Sequence, residues 1–203
     1  MKKYAVLHEP GDIVTLAGTR FVVLDVERRG SLPDSLFLLA LESVGASEFG
    51  SSNNYAESDL KKAVDKWLED MGKRGLDNAK LIPREIDLTT LDGSGCYGKL
   101  SVKAAPLTLD EAREYADIIP NAERWCWLAT GWSGPSKSDG DYALYVNSNG
   151  DWGSSGCSFS RGIRPALKVP SILFEDSEAG LDLSKIPTDD LLQEIHRRLA
   201  EKA

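Results

Sequence analysis

The chain has 203 residues, 41% of them hydrophobic, and a formal net charge of -8. That suffices for one cored domain with a tail. The acidic balance argues against general nucleic-acid binding and against anionic surfaces, which need basic faces. No apolar run approaches the roughly 18–20 residues that span a bilayer.

In chain order, Met1–Leu7 holds too short an apolar run for a signal peptide. The expectation is a protein made and kept in the cytoplasm, or packed into a particle assembled there. Ile13–Leu16, Arg20–Val26 and Leu36–Leu41 read as three strands, the last a continuous apolar run that suits burial on both faces. Ser43–Asn54 is a polar loop. Leu60, Val64, Trp67, Leu68 and Met71 recur at helical spacing behind a Ser58 cap, and Gly72 and Gly75 end the helix. Trp67 is most simply a core anchor. Residues 81–91 are irregular or short strand, followed by the turn Asp92-Gly93-Ser94-Gly95.

Thr108 and Glu111 have the spacing of a capping box. They predict a second helix with Leu109, Ala112, Tyr115, Ala116 and Ile119 on its apolar face, stopped by Pro120. Trp125–Leu128 is a strand, Trp132–Asp141 a long polar loop and Tyr142–Val146 a strand. Asn147–Gly150 is a hairpin turn, because Asn-Gly tolerates positive φ. Ile163–Val169 is the final strand. The expected division is a domain over 1–174, an acidic linker over 175–186, and a helix over 187–203 that either docks on the domain or pairs with a second copy or another protein.

Cys96, Cys126 and Cys157 are odd in number and widely spaced, so buried free thiols are expected, with a Cys126–Cys157 bridge left open. His8 and His196 are the only histidines. No phosphate loop, GxSxG elbow or HExxH helix occurs. A carboxylate pair is not pointed to. Asp139-Gly140-Asp141 could bind calcium but would offer it few of the six or more oxygens it needs, so the expectation is no cofactor, with calcium there as the alternative.

The stretch from Trp125 to Val169 holds four of the five tryptophans amid Gly, Ser, Asn and Asp. Large rigid aromatics beside small adaptable polar groups form the mixture that recognition loops use. The candidate ligand-binding residues are Trp132, Tyr142, Tyr145, Asn147, Asn149, Asp151, Trp152 and Ser154, with Ser155 and Ser158 beside them. Alternation along a strand sends Leu144 and Val146 inward and Tyr145 and Asn147 outward. Trp125, Trp127 and Phe159 are read as core or rim packing. Arg164 is read as a structural contact to a carboxylate or carbonyls.

Several segments in this order also carry a family likeness: Arg20–Val26, Ser58-Asp59-Leu60 with Trp67-Leu68, Leu107–Ala112 ahead of Tyr115, Trp125-Cys126-Trp127-Leu128 and Gly162-Ile163-Arg164-Pro165-Ala166-Leu167. Over roughly residues 12–170 the chain resembles the DUF6273 family of bacterial and phage proteins. The resemblance implies an α+β, C-type-lectin-like fold, related to formylglycine-generating-enzyme-like and retroelement variable-protein domains. It would have two helices on short antiparallel sheets with long loops, and a phage or prophage origin. The Glu-Pro-Asn and Trp-Asn-Asp calcium motifs of sugar-binding lectins do not occur, nor do the paired copper-binding cysteines of formylglycine-generating enzymes. The functional expectation is a non-enzymatic domain recognising a protein or glycan surface through residues 132–158. The alternative is an assembly protein that uses the same aromatics and residues 187–203 for subunit contacts.

Overall fold

The computed structural model describes residues 8–29 and 32–174, with Thr188 and Leu192 in helical backbone. The expected linker over 175–186, the rest of the expected helix over 187–203, and His196 lie outside the described residues. Among the described residues, no helix is long and apolar enough to cross a membrane.

The chain opens with β1 (Ile13–Leu16), β2 (Thr19–Arg29) and β3 (Leu32–Ala40). β2 and β3 run well past their apolar stretches, because backbone pairing continues from Phe21↔Ala40 out to Arg29↔Leu32. A short strand β4 (Ala46–Glu48) lies inside the segment expected as loop. Helix α1 (Asp59–Lys73) starts where the Ser58 side chain accepts from the Lys61 amide. Its stripe Leu60, Val64, Trp67 and Met71 is buried. Three short strands follow: β5 (Arg84–Asp87), β6 (Lys99–Val102) and β7 (Ala104–Ala105).

Helix α2 (Leu109–Glu114) has the expected capping box in full, with Thr108 accepting from the Glu111 amide and Glu111 from the Thr108 amide. It is shorter than the sequence pattern suggests. Tyr115 leaves the helix at φ -104°, ψ 17°, and its ring packs edge-on against Phe37. The remaining strands are β8 (Cys126–Gly131), β9 (Tyr142–Val146), β10 (Trp152–Gly156), β11 (Ser160–Gly162) and β12 (Ala166–Pro170).

These make a mixed α+β domain with two five-stranded sheets, in the orders β1-β2-β3-β12-β7 and β10-β9-β8-β11-β4, and a β5-β6 ribbon. Pairing is antiparallel except where β11 meets β8 at Gly162↔Cys126. The first sheet is buried on both faces, as the unbroken apolar run of β3 implies. Phe21, Val23, Leu36, Leu38, Leu167 and Val169 join the α1 stripe, Trp127 and Ala143 in one core. Val22, Leu24, Leu39 and Ala166 join Leu109, Ala112, Leu128 and Leu144 in a second. Both sheets therefore feed both cores, which makes β8 and β9 a rigid base for the loops they carry.

All three cysteines are free thiols. Cys126 and Cys157 are buried, and burial pushes their thiols up to about 11 and about 12. Cys96 departs from the expectation. It is exposed, because it follows the Asp92–Gly95 turn at the surface rather than entering a strand. At pH 8 a thiol with a pKa near 11 is ~0.1% thiolate, and the thiolate is the nucleophile. Brief treatment of native protein with iodoacetamide at pH 8 should therefore add one label, at Cys96. Cys126 and Cys157 should label after unfolding or as pH rises toward 11. Intact mass and peptide mapping read the result, and prompt native labelling of either buried thiol would contradict it.

Candidate functional site

The chain just after β8 and the start of β9 are held by one buried amide. Asn53 is 1% exposed. Its Nδ2 donates to the Ser133 and Tyr142 carbonyls, both at 2.9 Å, and its Oδ1 accepts from Tyr97 Oη at 2.6 Å. Leu91 and Asp92 amides donate to the Gly131 and Trp132 carbonyls, and Lys137 pairs with Asp92. The long 132–141 loop is thus tied to the 90–97 turn at several points. At the other end, Asn147 Oδ1 accepts from the Asn149 and Asp151 amides while its Nδ2 donates to Asp151 Oδ2. Gly150 takes φ +88° there, as a tight hairpin requires. Asn147 and Asp151 spend these groups on the turn itself, and Asn149 is exposed beside them.

Directly opposed residues on antiparallel strands share a face. Tyr145 pairs with Gly153, whereas Trp152, Ser154 and Gly156 pair with Val146, Leu144 and Tyr142. The predicted residues therefore divide between two faces. Trp132, Tyr142 and Trp152 are exposed; Tyr142, Trp152 and the half-buried Ser154 share the face of Leu144 and Val146, toward α2. Trp152 lies under the Arg113 guanidinium of α2, 5.3 Å from ring centre to Cζ.

On the opposite face, Tyr145 is half-buried rather than pointing freely outward. Its ring is stacked on Trp125 at 4.9 Å with an 8° interplanar angle. Trp125 and Phe159, expected in the core or its rim, are instead exposed, at 42% and 59%. Trp125 precedes the paired part of β8, and Phe159 sits in the turn before β11, so neither lies under a covering layer. Only Trp127 of the three is core, at 1% exposure. Arg161 reaches across the group. Its Cζ is 5.0 Å from the Trp125 centroid, 5.5 Å from Tyr145 and 5.6 Å from Phe159. Nη2 of Arg161 donates to Ser155 Oγ at 3.0 Å, and its Nε is buried without a partner.

Gly153 makes this stack possible. A Cβ at that position would lie 2.6 Å from Tyr145 Oη, so only glycine lets the ring lie flat over β10. The result is a surface of three aromatic rings and one guanidinium on a paired-strand base. It offers π faces, aromatic edges and a cation, which together suit sugar rings, aromatic or proline side chains and carboxylates. Arg161 was not among the sequence candidates. The alternation Ser158-Phe159-Ser160-Arg161-Gly162 of small and large residues was its available signal.

Asp139 and Asp141 are exposed in the loop. Among the described residues, no group of three or more His, Cys, Asp or Glu side chains converges as a metal site would require. The carboxyl shifts that occur, at Glu27, Asp70, Asp87 and Asp92, all run downward. At Asp92 the Lys137 ammonium and the Thr90 hydroxyl hold it to about 2.

No protein-family model, no curated protein and no solved structure matches the chain.

Proposed function

We propose that the protein is a non-enzymatic recognition domain of C-type-lectin-like fold, of phage or prophage origin, that holds a protein or glycan surface on its aromatic loops. The observation that carries this reading is the Trp125–Tyr145–Phe159 group, its Trp125 and Phe159 rings exposed and Arg161 lying across it. Stacked rings on a rigid base lose little entropy on binding, and Trp, Tyr and Arg dominate binding hot spots. The exposed Trp132, Tyr142 and Trp152 offer further aromatic contact area apart from that group. The two-sheet, two-helix architecture with long loops accords with the family resemblance.

The test is a binding screen of purified protein against glycan arrays and host-surface extracts, with and without calcium, beside Trp125→Ala/Tyr145→Ala. A retained circular dichroism spectrum with a loss of about 30-fold or more in affinity is expected, since hot-spot truncations cost about 2 kcal/mol or more. Affinity for each hit should be indifferent to calcium. Binding untouched by the double substitution would overturn the reading. Assembly through residues 187–203 would then be measured as solution mass with and without that segment.

A further inference from the structure

A cavity of about 110 Å³ lies between β8, the β9–β10 hairpin, α2 and the residues that follow α2 up to Ala122. One water needs only ~10–15 Å³ by this kind of measure, so the space suits a small organic molecule. Its walls are mainly apolar, with Leu107, Ile119, Leu128, Val146 and Trp152 among them. The buried charge among them is Arg164, which is 7% exposed. Arg164 Nε donates to the Ala40 carbonyl at 2.7 Å, whereas its Nη2 is buried with no partner.

No aspartate or glutamate lines the cavity; Glu42, outside the lining, is the carboxylate whose charge acts on Arg164. The Cys126 thiol beside the cavity is pushed up to about 11 by burial and stays neutral, so it gives no counter-charge. A buried guanidinium with an unpaired Nη2 is costly to hold. An occupant that brings an anionic acceptor to Nη2 and an apolar body to the walls would offset that cost. An isolated apolar molecule would not, and an ammonium would be repelled.

We propose that this cavity is a binding site for a small monocarboxylate, its carboxylate on Arg164 and its aliphatic or aromatic body against Leu128, Val146 and Trp152. The guanidinium supplies charge-assisted hydrogen bonding, the stronger kind, and the walls select against short or polar acids. Trp125, Tyr145, Phe159 and Arg161 do not line the cavity, so the Trp125→Ala/Tyr145→Ala test of the recognition surface leaves it intact, although Trp152 borders both.

Isothermal titration and thermal melting of the full chain would use butyrate, hexanoate, octanoate and benzoate, with hexanol, benzyl alcohol and benzylamine as matched controls. At least one carboxylate should bind and raise the melting temperature, and its matched alcohol should bind at least tenfold more weakly. Ala116 is an exposed lining residue. Ala116→Trp should fold normally and weaken the carboxylate at least tenfold by filling the mouth. Arg164→Lys should weaken it while leaving the alcohols unchanged. The proposal fails if no carboxylate binds at 10 mM (a generous ceiling, ~2.7 kcal/mol of affinity by the usual conversion). It fails equally if alcohols match their acids, or if folded Ala116→Trp binds as the parent does.

Discussion

Glu111→Ala should lower the unfolding free energy by about 3–5 kcal/mol, the usual cost of removing one partner from a buried ion pair. Glu111 has two duties. One oxygen closes the α2 capping box by accepting from the Thr108 amide at 2.8 Å, and the other pairs with Arg84 Nη1. The Arg84 side chain is only 9% exposed. Its Nη2 donates to the Ala105 and Pro106 carbonyls, and its guanidinium lies 5.1 Å from the Phe37 ring centre. Burial already weakens the hold of Arg84 on its proton, and Glu111 is the main group opposing that. With the carboxylate gone, the cation keeps two carbonyls and no counter-charge. Urea denaturation should show a lower midpoint at unchanged slope, which marks a stability change rather than a changed denatured state. The melting temperature should fall by about 6–20 °C for a domain of this size. Glu111→Gln keeps one of the two acceptor oxygens and should cost less. A loss under about 1 kcal/mol for Glu111→Ala would mean that water reaches Arg84 when the pair opens. The pair would then be a surface interaction of the weak kind.

The same residue shows what the sequence makes legible and what it hides. Thr108 and Glu111 announce the helix start because a capping box is local, three residues apart. The partner of Glu111 is 27 positions away, and no local signal identifies Arg84. The hairpin at Asn149-Gly150, the Ser58 cap and the two-sided burial of β3 are legible for the same reason, since each rests on neighbours in sequence or on one strand's alternation. The strands β6 and β7 are not. Lys99-Leu100-Ser101-Val102 has ordinary polarity, and it becomes a strand only through pairing with Arg84–Asp87. Context decides in such cases, and β-propensity is weak against it. The candidate site divides likewise. Exposed Trp132 and Trp152 follow from their Gly- and Ser-rich flanks. Arg161 and the buried ties of Asn53 depend on contacts to distant segments, and Asn53 reaches 80 and 89 residues along the chain.

Trp127→Ala should cost about 3–5 kcal/mol, the range for truncating a buried large aromatic, while Trp125→Ala two positions away should cost about 1 kcal/mol. Period two points both side chains to one face of the sheet, and sequence alone treats them alike. The covering layer separates them. Trp127 meets Phe49 edge-on at 5.5 Å and donates from Nε1 to the Ser47 carbonyl at 3.0 Å. It is sealed in the main core beside Tyr55 and Ala143. Its removal leaves a void that close-packed neighbours refill only in part, together with a carbonyl short of its donor. Trp125 lies beyond the reach of that layer. Its contacts are the Tyr145 ring and the Arg161 guanidinium, worth about 1 kcal/mol together when exposed. Urea midpoints of the two variants should thus differ severalfold in their shift. Ligand affinity should change in the opposite order, with Trp125→Ala losing binding while keeping the fold. Equal destabilisation by both would place Trp125 in the core after all. Equal stability with intact binding would remove the aromatic surface from the recognition reading.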